Sequence, residues 1–442
     1  MGHADPILET QLQPYWMPFT ANKEFKKEPR LIERAEGLYF YTPNGDRLID
    51  ASSGLFCVAA GHCRPEITRA VSEQLGTLDF TAPFLRSHAK AFELAARVAE
   101  HTPDDLNRVF FVNSGSEAVD TAMKMALMYH RVRGEAQRQI FISRERAYHG
   151  VNWGGVALSG MVNNRRAFGT GLPGVYHMRH TQLEENRFTP GQPEHGAELA
   201  DDLLRFCQMF GGENIAAVFV EPVAGSFGCL PPPKGYLNRL RKICDDHGIL
   251  LVFDEVITGW GRLGHYFAAQ AFGVTPDLMT MAKAITNGAQ PMGAVAAREG
   301  IYDAITKAGP EQGVEFFHGY TYSGHPASCA AGLAMMDIFA SDELVSRASA
   351  LSPYFIEQMH ALQEFDAVVD VRSIGLMAGI ELKADGAPGR RGHAVQKWLF
   401  DHGLHQKNTG DVLIIAPPLV AEKAHVDEIV SKLRAALAEL KG

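Results

Sequence analysis

The chain has 442 residues, 46% hydrophobic and 21% charged, with a formal net charge of −9. That length supports two or three domains with ordinary globular cores, and the acidic balance argues against a nucleic-acid partner, which calls for a basic surplus. No apolar run reaches the roughly 18 residues of a membrane span, the start Met1-Gly2-His3-Ala4-Asp5-Pro6 lacks a charged-then-apolar leader, and six cysteines without a C-x-x-C pair read as reduced thiols of a cytoplasmic protein.

Residues 1–60 carry the aromatic, proline-bounded stretch Pro14-Tyr15-Trp16-Met17-Pro18-Phe19-Thr20, expected to pack as an N-terminal arm. Leu38–Tyr41, the turn Pro43–Asp46 and Leu48–Asp50 predict a hairpin. Helical spacing follows in Arg64–Gly76, with Ile67, Ala70, Val71 and Leu75 on one face. It recurs in Ala89–His101, with Phe92, Ala95, Val98 and Ala99.

Val109–Val112 predicts a strand and Asn113–Glu117 a turn. Ala118, Ala122, Met125, Ala126 and Tyr129 mark the apolar face of the next helix. A strand, a small-residue turn and a helix start make a seat for phosphate, because free N–H groups and the positive helix end face the anion. Ser114 and Ser116 add hydroxyls. The same residues also fit a plain serine N-cap with Glu117 in the first turn. Tyr148-His149-Gly150 follows a short strand, Gln139–Ser143, and offers an aromatic to cover a flat ring, or ordinary packing. Residues 182–198 are polar, with Pro190 and Pro193, and read as a surface excursion.

Three short apolar runs come next: Ile215–Val220, Ile249–Phe253 and Leu278–Ala282. Continuous rather than alternating apolarity is the mark of strands buried on both faces of a parallel sheet. The helical segment Tyr236–His247 between the first two completes a β-α-β unit. The runs end on Glu221, Asp254 and Lys283. Ligands of open α/β sheets bind beyond the carboxyl ends of strands, so these side chains are candidates for one site. Two acids and a lysine suit pyridoxal phosphate, which needs a lysine for its Schiff base and an acid opposite its pyridine nitrogen.

Two other motifs point elsewhere. Gly259-Trp260-Gly261-Arg262-Leu263-Gly264 matches G-x-G-x-x-G after a strand and supports a rival reading as a nicotinamide dehydrogenase. Asp277 comes too early for the ribose acid, and His265–Phe272 is short for the helix. His177-x-x-His180 lacks a third ligand with recognisable spacing, so no metal is expected. Beyond residue 330 the pattern turns to α+β: a helix at Ala330–Phe339, strands at Val368–Val371, Met377–Leu382 and Val412–Ile415, and a helix at His425–Lys441.

Taken together these residues resemble the class III pyridoxal-phosphate aminotransferases over nearly the whole chain. The signature is Leu251–Gly259 with Arg262 and Lys283, joined by Asn113–Glu117, Tyr148–Gly150, Val220–Pro222 and His318–Pro326. The opening Trp16–Asn22 is similar to the ω-amino acid–pyruvate, or β-alanine–pyruvate, branch.

The resemblance implies an α/β protein of pyridoxal-phosphate fold type I. A large domain (61–329) would hold a mainly parallel seven-stranded sheet, and a smaller α+β domain would comprise 330–442 and the N-terminal segment 1–60. It implies a homodimer, or a tetramer, with the active site at the subunit interface. Lys283 would bind the cofactor and shuttle the proton, and Asp254 would pair with the pyridinium nitrogen. Val256 and Tyr148 would pack on the ring, with Glu221 near its hydroxyl side. Ser114, Gly115, Ser116, His149 and Tyr320 would complete the cofactor site, with Thr321 supplied by the partner subunit. Phe19, Leu55, Phe56, Tyr148 and the partner's Phe84 would wall the substrate pockets.

The implied reaction passes an amino group from an ω-amino acid or primary amine to pyruvate. The alternative within the family is a diamine, taurine or ornithine type using 2-oxoglutarate. Two departures stand out: Lys407 stands where the family often has a carboxylate-binding arginine, and Phe56 where many relatives have tryptophan.

Overall fold

The computed structural model of the chain describes residues 11–169 and 171–440; the expectation for the start of the chain, Met1–Pro6, lies outside them. The first strands are β1 (Arg34–Glu36), β2 (Tyr39–Tyr41) and β3 (Arg47–Asp50). The expected hairpin is β2–β3, with Tyr39 opposite Ile49.

The central sheet follows: β4 (Arg108–Val112), β5 (Ile140–Arg144), β6 (Val175–Met178), β7 (Ile215–Val220), β8 (Leu250–Asp254), β9 (Leu278–Ala282) and β10 (Gly293–Ala297). Its seven strands run in the order β4-β10-β9-β8-β7-β5-β6, and only β10 is antiparallel to its neighbours. Every residue of β7, β8 and β9 is buried, which is why each reads as a continuous apolar run.

The last strands are β11 (Val368–Ile374), β12 (Met377–Leu382), β13 (Leu404–His405), β14 (Lys407–Thr409) and β15 (Val412–Ile415). Four form an antiparallel sheet, β11-β12-β15-β14. β13 instead pairs in parallel with β3, setting Leu404 opposite Ile49 and His405 opposite Asp50.

The longer helices are α1 (Pro65–Thr77), α2 (Ala89–Ala99), α3 (Gly115–Val132), α4 (Tyr236–His247), α5 (Pro326–Ser341), α6 (Leu344–His360), α7 (Arg390–Asp401) and α8 (Lys423–Ala438). The expected division at residue 330 falls inside α5, an unbroken and largely buried helix packed on α1 and α2. α8 buries Val426, Ile429, Val430, Leu433 and Leu437; the expected helix end at Lys441 lies outside the described residues.

The stripes of α1 and α2 that face the core are Ile67–Gln74 and Leu94–Val98, while Leu75 is 49% and Phe92 70% exposed. Both helices therefore carry apolar residues on an outward face as well. Residues 182–198 run over the surface and are tied down there: Phe188 donates its N–H to Asp370 Oδ1 (2.7 Å) and Gly191 to the Ser373 carbonyl (2.8 Å), strapping the segment to β11.

Candidate active site

β7, β8 and β9 are neighbours, so their ends bring Glu221, Asp254 and Lys283 together. Asp254, the last residue of β8, is held by three donors. Its Oδ1 accepts from Val256 N–H and Thr280 Oγ1, each at 3.1 Å, and its Oδ2 from His149 Nδ1 at 2.8 Å. The sequence reading missed Thr280, which sits opposite Asp254 on β9; residues paired across adjacent parallel strands leave no local signal. His149 is 1% exposed, and its Nε2 has no partner among the described residues. The Glu221 carboxyl accepts from Tyr148 N–H (2.9 Å) and Gly225 N–H (3.1 Å), and burial pushes its pKa up.

Lys283 enters at a left-handed turn, φ 55°. Burial pushes its ammonium pKa down, against the pull of Cys57, Asp254 and Glu221. Its Nζ lies 5.4 Å from the centroid of the Phe56 ring, and Lys407 Nζ lies 5.9 Å from the same centroid. Burial, then the charge of Lys283, pushes the Lys407 ammonium down to about 8. Lys407 opens β14, and its Nζ reaches Thr409 Oγ1 at 3.5 Å.

The phosphate-seat residues lie at the start of α3. Ser114 Oγ accepts the N–H of Glu117 at 3.2 Å, and the Glu117 carboxylate turns back to Asn113 N–H at 2.7 Å. This capping geometry leaves the N–H groups of Gly115 and Ser116 without a partner among the described residues. A Cβ on Gly115 would come 3.0 Å from Val256 Cγ2, so a larger residue there would press on Val256. Ser116 Oγ accepts Val151 N–H at 3.0 Å, locking Tyr148–Gly150 against this turn.

The substrate candidates divide. Phe56 is 2% exposed, whereas Leu55 is 49%, Phe84 55% and Phe19 81% exposed. The Pro14–Thr20 arm is a correction: Tyr15 and Trp16 are 63% and 88% exposed, so among the described residues these aromatics are not packed away. Phe84 adjoins Gly319, and Phe80 packs edge-on to Tyr322, so Phe84 and the exposed Thr321 share one outward patch. No contact among the described residues joins that patch to Lys283. Tyr320 is half-buried beside His318, which bonds Thr121 of α3 at 2.8 Å.

The two decoys have structural occupants. Trp260 is buried, and Arg262 donates to the Pro417 and Leu376 carbonyls and to Ser53 Oγ. A Cβ on Gly261 would meet Leu419 at 2.6 Å, and only the five-residue helix Ala268–Phe272 follows. That turn is filled by protein, which removes the dehydrogenase reading. His177 Nε2 bonds the Leu158 carbonyl (3.1 Å), and among the described residues no three His, Cys, Asp or Glu group as metal ligands.

This arrangement fits pyridoxal phosphate: two free amides at a helix start, a carboxylate fixed by three donors, and the Lys283 amine at the end of the strand beside that carboxylate. The sequence matches the family described as Aminotransferase class-III over residues 20–437. The chain belongs to the class III aminotransferases. It is 52% identical to an omega-aminotransferase of Caulobacter vibrioides, covering 97% of this chain and 98% of that protein. It is 47% identical to a beta-alanine–pyruvate aminotransferase of Pseudomonas aeruginosa, covering 97% and 96%. Among solved structures, the omega transaminase of Pseudomonas jessenii in complex with PMP superposes with a TM-score of 0.93 at 31% identity, covering 98% of each chain. The fold is that of fold-type I enzymes, and the cofactor of this class III aminotransferase is pyridoxal 5′-phosphate. Among the described residues no helix is long and apolar enough to cross a membrane.

Proposed function

We propose that this aminotransferase moves the amino group of an ω-amino acid or primary amine, such as β-alanine or an arylalkylamine, to pyruvate, giving alanine. The observation that carries the reading is a second lysine, the half-buried Lys407, whose Nζ lies 5.9 Å from the same Phe56 ring centroid that Lys283 Nζ approaches at 5.4 Å. One cation serves the amino group's transfer; the other suits a carboxylate that only one of the two substrates need carry beside the reacting carbon. The names of the two relatives support the same pairing of substrates.

Bound pyridoxal phosphate supplies a carbonyl to take up the amino group and a ring to accept electrons. The chain's residues do the rest. Gly115 and Ser116 N–H groups, at the positive end of α3 beside Ser114, would bind the phosphate. Asp254 would keep a proton on the ring nitrogen, oriented by His149, Thr280 and the Val256 amide. Val256 and Tyr148 would bound the ring faces, and Glu221 would close the hydroxyl side. Lys283 Nζ would hold the cofactor between turnovers and then move the proton at the substrate carbon. Its lowered pKa raises the neutral, basic fraction. Lys407 would receive the carboxylate of pyruvate, and Phe19, Leu55 and Phe56 would wall the pocket.

The chain is read as a cytoplasmic homodimer that can pair further into a tetramer. Thr321 of the partner subunit would reach the phosphate with Tyr320 alongside, and the partner's Phe84 would close the substrate pocket. The outward apolar residues Leu75, Phe80, Leu85 and Phe92 support such an interface. Residues 61–329 are taken as the cofactor domain and 1–60 with 330–442 as the smaller one; the β3–β13 pairing supports that union.

The test is an absorption spectrum of the cofactor-loaded protein before and after β-alanine, then after pyruvate, with alanine measured. Spectral reversal by pyruvate with alanine released is expected. Reversal by 2-oxoglutarate alone would give the site to the diamine, taurine or ornithine type.

A further inference from the structure

The backbone that presents Phe56 is strained. Ser53 has φ 50°, Gly54 64° and Phe56 60°, with Leu55 between them at −144°. Glycine takes positive φ freely, but serine and above all phenylalanine do so only where the surroundings over-determine it.

The surroundings here are specific. Asp50 is fully buried at the end of β3. Its Oδ1 accepts Ser52 N–H at 3.1 Å; its Oδ2 accepts Gly54 N–H at 2.5 Å and His62 Nε2 at 2.8 Å. The Gly54 carbonyl faces His405 Nε2 at 3.3 Å. Ser53 Oγ donates to the Ala416 carbonyl at 2.7 Å and accepts from Arg262 at 3.0 Å. The Phe40 ring packs against both His62 and His405, with centroids at 4.3 and 5.2 Å. Asp50 makes its hydrogen bonds to loop backbone and His62, and none to Lys283 or Lys407.

We infer that Asp50, paired with His62, is a positioning residue for substrate choice. It holds the Ser52–Phe56 backbone in its strained path, so that the Phe56 ring stays beside the ammonium groups of Lys283 and Lys407, 5.4 and 5.9 Å from its centroid, and sets the room next to them. The inference rests on the roles given to those lysines above. An amide at position 50 keeps the shape but loses the charge that strengthens the bonds to the Ser52 and Gly54 amides. The loop then relaxes toward ordinary φ and the ring leaves its place.

The experiment compares cofactor-loaded wild type with Asp50→Asn, Phe56→Ala and the double variant. It measures kcat and KM for β-alanine and a bulky arylalkylamine with pyruvate, and amide exchange across residues 52–57. Asp50→Asn is expected to raise the preference for the bulky amine about tenfold, chiefly through KM, and to speed exchange at Gly54. It should add nothing to that preference once Phe56 is alanine. His62→Gln, which retains a donor toward Asp50, should stay near the wild-type preference, whereas His62→Ala should move part of the way. Equal losses for both amines in Asp50→Asn, or additive shifts in the double variant, would make Asp50 a purely structural residue and overturn the inference. Should Asp50→Asn not fold, an unchanged preference in His62→Ala overturns it. A wild type that transfers nothing to pyruvate defeats the functional reading instead; unchanged exchange at Gly54 in the variants would still defeat the role of Asp50.

Discussion

His149 Nδ1 lies 2.8 Å from Asp254 Oδ2, and both side chains are buried. The pair joins the loop after β5 to the end of β8. It fixes one oxygen of the carboxylate while Thr280 and the Val256 amide fix the other.

Asp254→Asn is expected to retain the cofactor and slow turnover by about 10²–10³-fold, because an amide cannot hold the positive charge of the ring nitrogen. His149→Phe, which leaves Asp254 one donor short, should slow it by roughly ten- to a hundredfold. Single-turnover rates with an amine in excess check both. Wild-type rates in Asp254→Asn would assign the charge to another group.

Lys283→Ala should abolish amino transfer and the absorption change on adding amine, while cofactor can stay bound through Gly115 and Ser116. Only Lys283 joins the buried carboxylates at these strand ends. Spectra with cofactor, amine and pyruvate added in turn test this, and ordinary turnover would refute it.

Lys407 carries its charge below about pH 8 and loses it above. The KM for pyruvate should therefore rise as pH climbs through 8, while that for a carboxylate-free amine stays level. Lys407→Ala should raise the pyruvate KM at every pH. Lys407→Arg should remove the pH dependence and hold or lower the constant, since a guanidinium stays charged and grips a carboxylate by two bonds. Steady-state kinetics varying each substrate decide; equal small changes for both would leave the carboxylate with another partner.

Thr321→Ala should weaken cofactor retention by about 1.5–3 kcal/mol, the worth of a charge-assisted hydrogen bond to phosphate. If Thr321 acts across the subunit interface, mixing Thr321→Ala chains with Lys283→Ala chains recovers one competent site per dimer. No recovery on mixing would place Thr321 in its own chain's site.

Glu255 gives a stability test. Its buried carboxylate accepts from Thr258 Oγ1 (2.6 Å), Ala268 N–H (2.8 Å) and Ala269 N–H (2.7 Å). Burial outweighs these donors and raises its pKa from 4.5 to about 7. A pKa raised on folding favours the folded state below the unfolded value and loses that contribution as pH rises through 7, here about 3 kcal/mol. Melting curves of wild type and Glu255→Gln between about pH 5 and 8 should diverge, with wild type losing more toward high pH. Parallel curves would mean that the three donors keep Glu255 ionised throughout.

The strand ends were legible because β7, β8 and β9 are buried on both faces and write themselves as apolar runs closed by Glu221, Asp254 and Lys283. The capped turn at Ser114 was legible for a local reason too. Asp50, His62 and Thr280 were not, since each acts on a partner brought near only by folding. The outward faces of Leu75 and Phe92 were not legible, because helical periodicity reports an apolar stripe and not which surface covers it.

The pairing of β3 with β13 has a consequence for synthesis. The loop that carries Phe56 is made well before His405 and Ala416, which hold it. Until then Asp50 and its strained neighbours lack half of their support, whereas β7, β8 and β9 can already align Glu221, Asp254 and Lys283. Long-range pairing of this kind forms late, so the nascent chain gathers its chemical groups before it acquires the walls that select what they act upon.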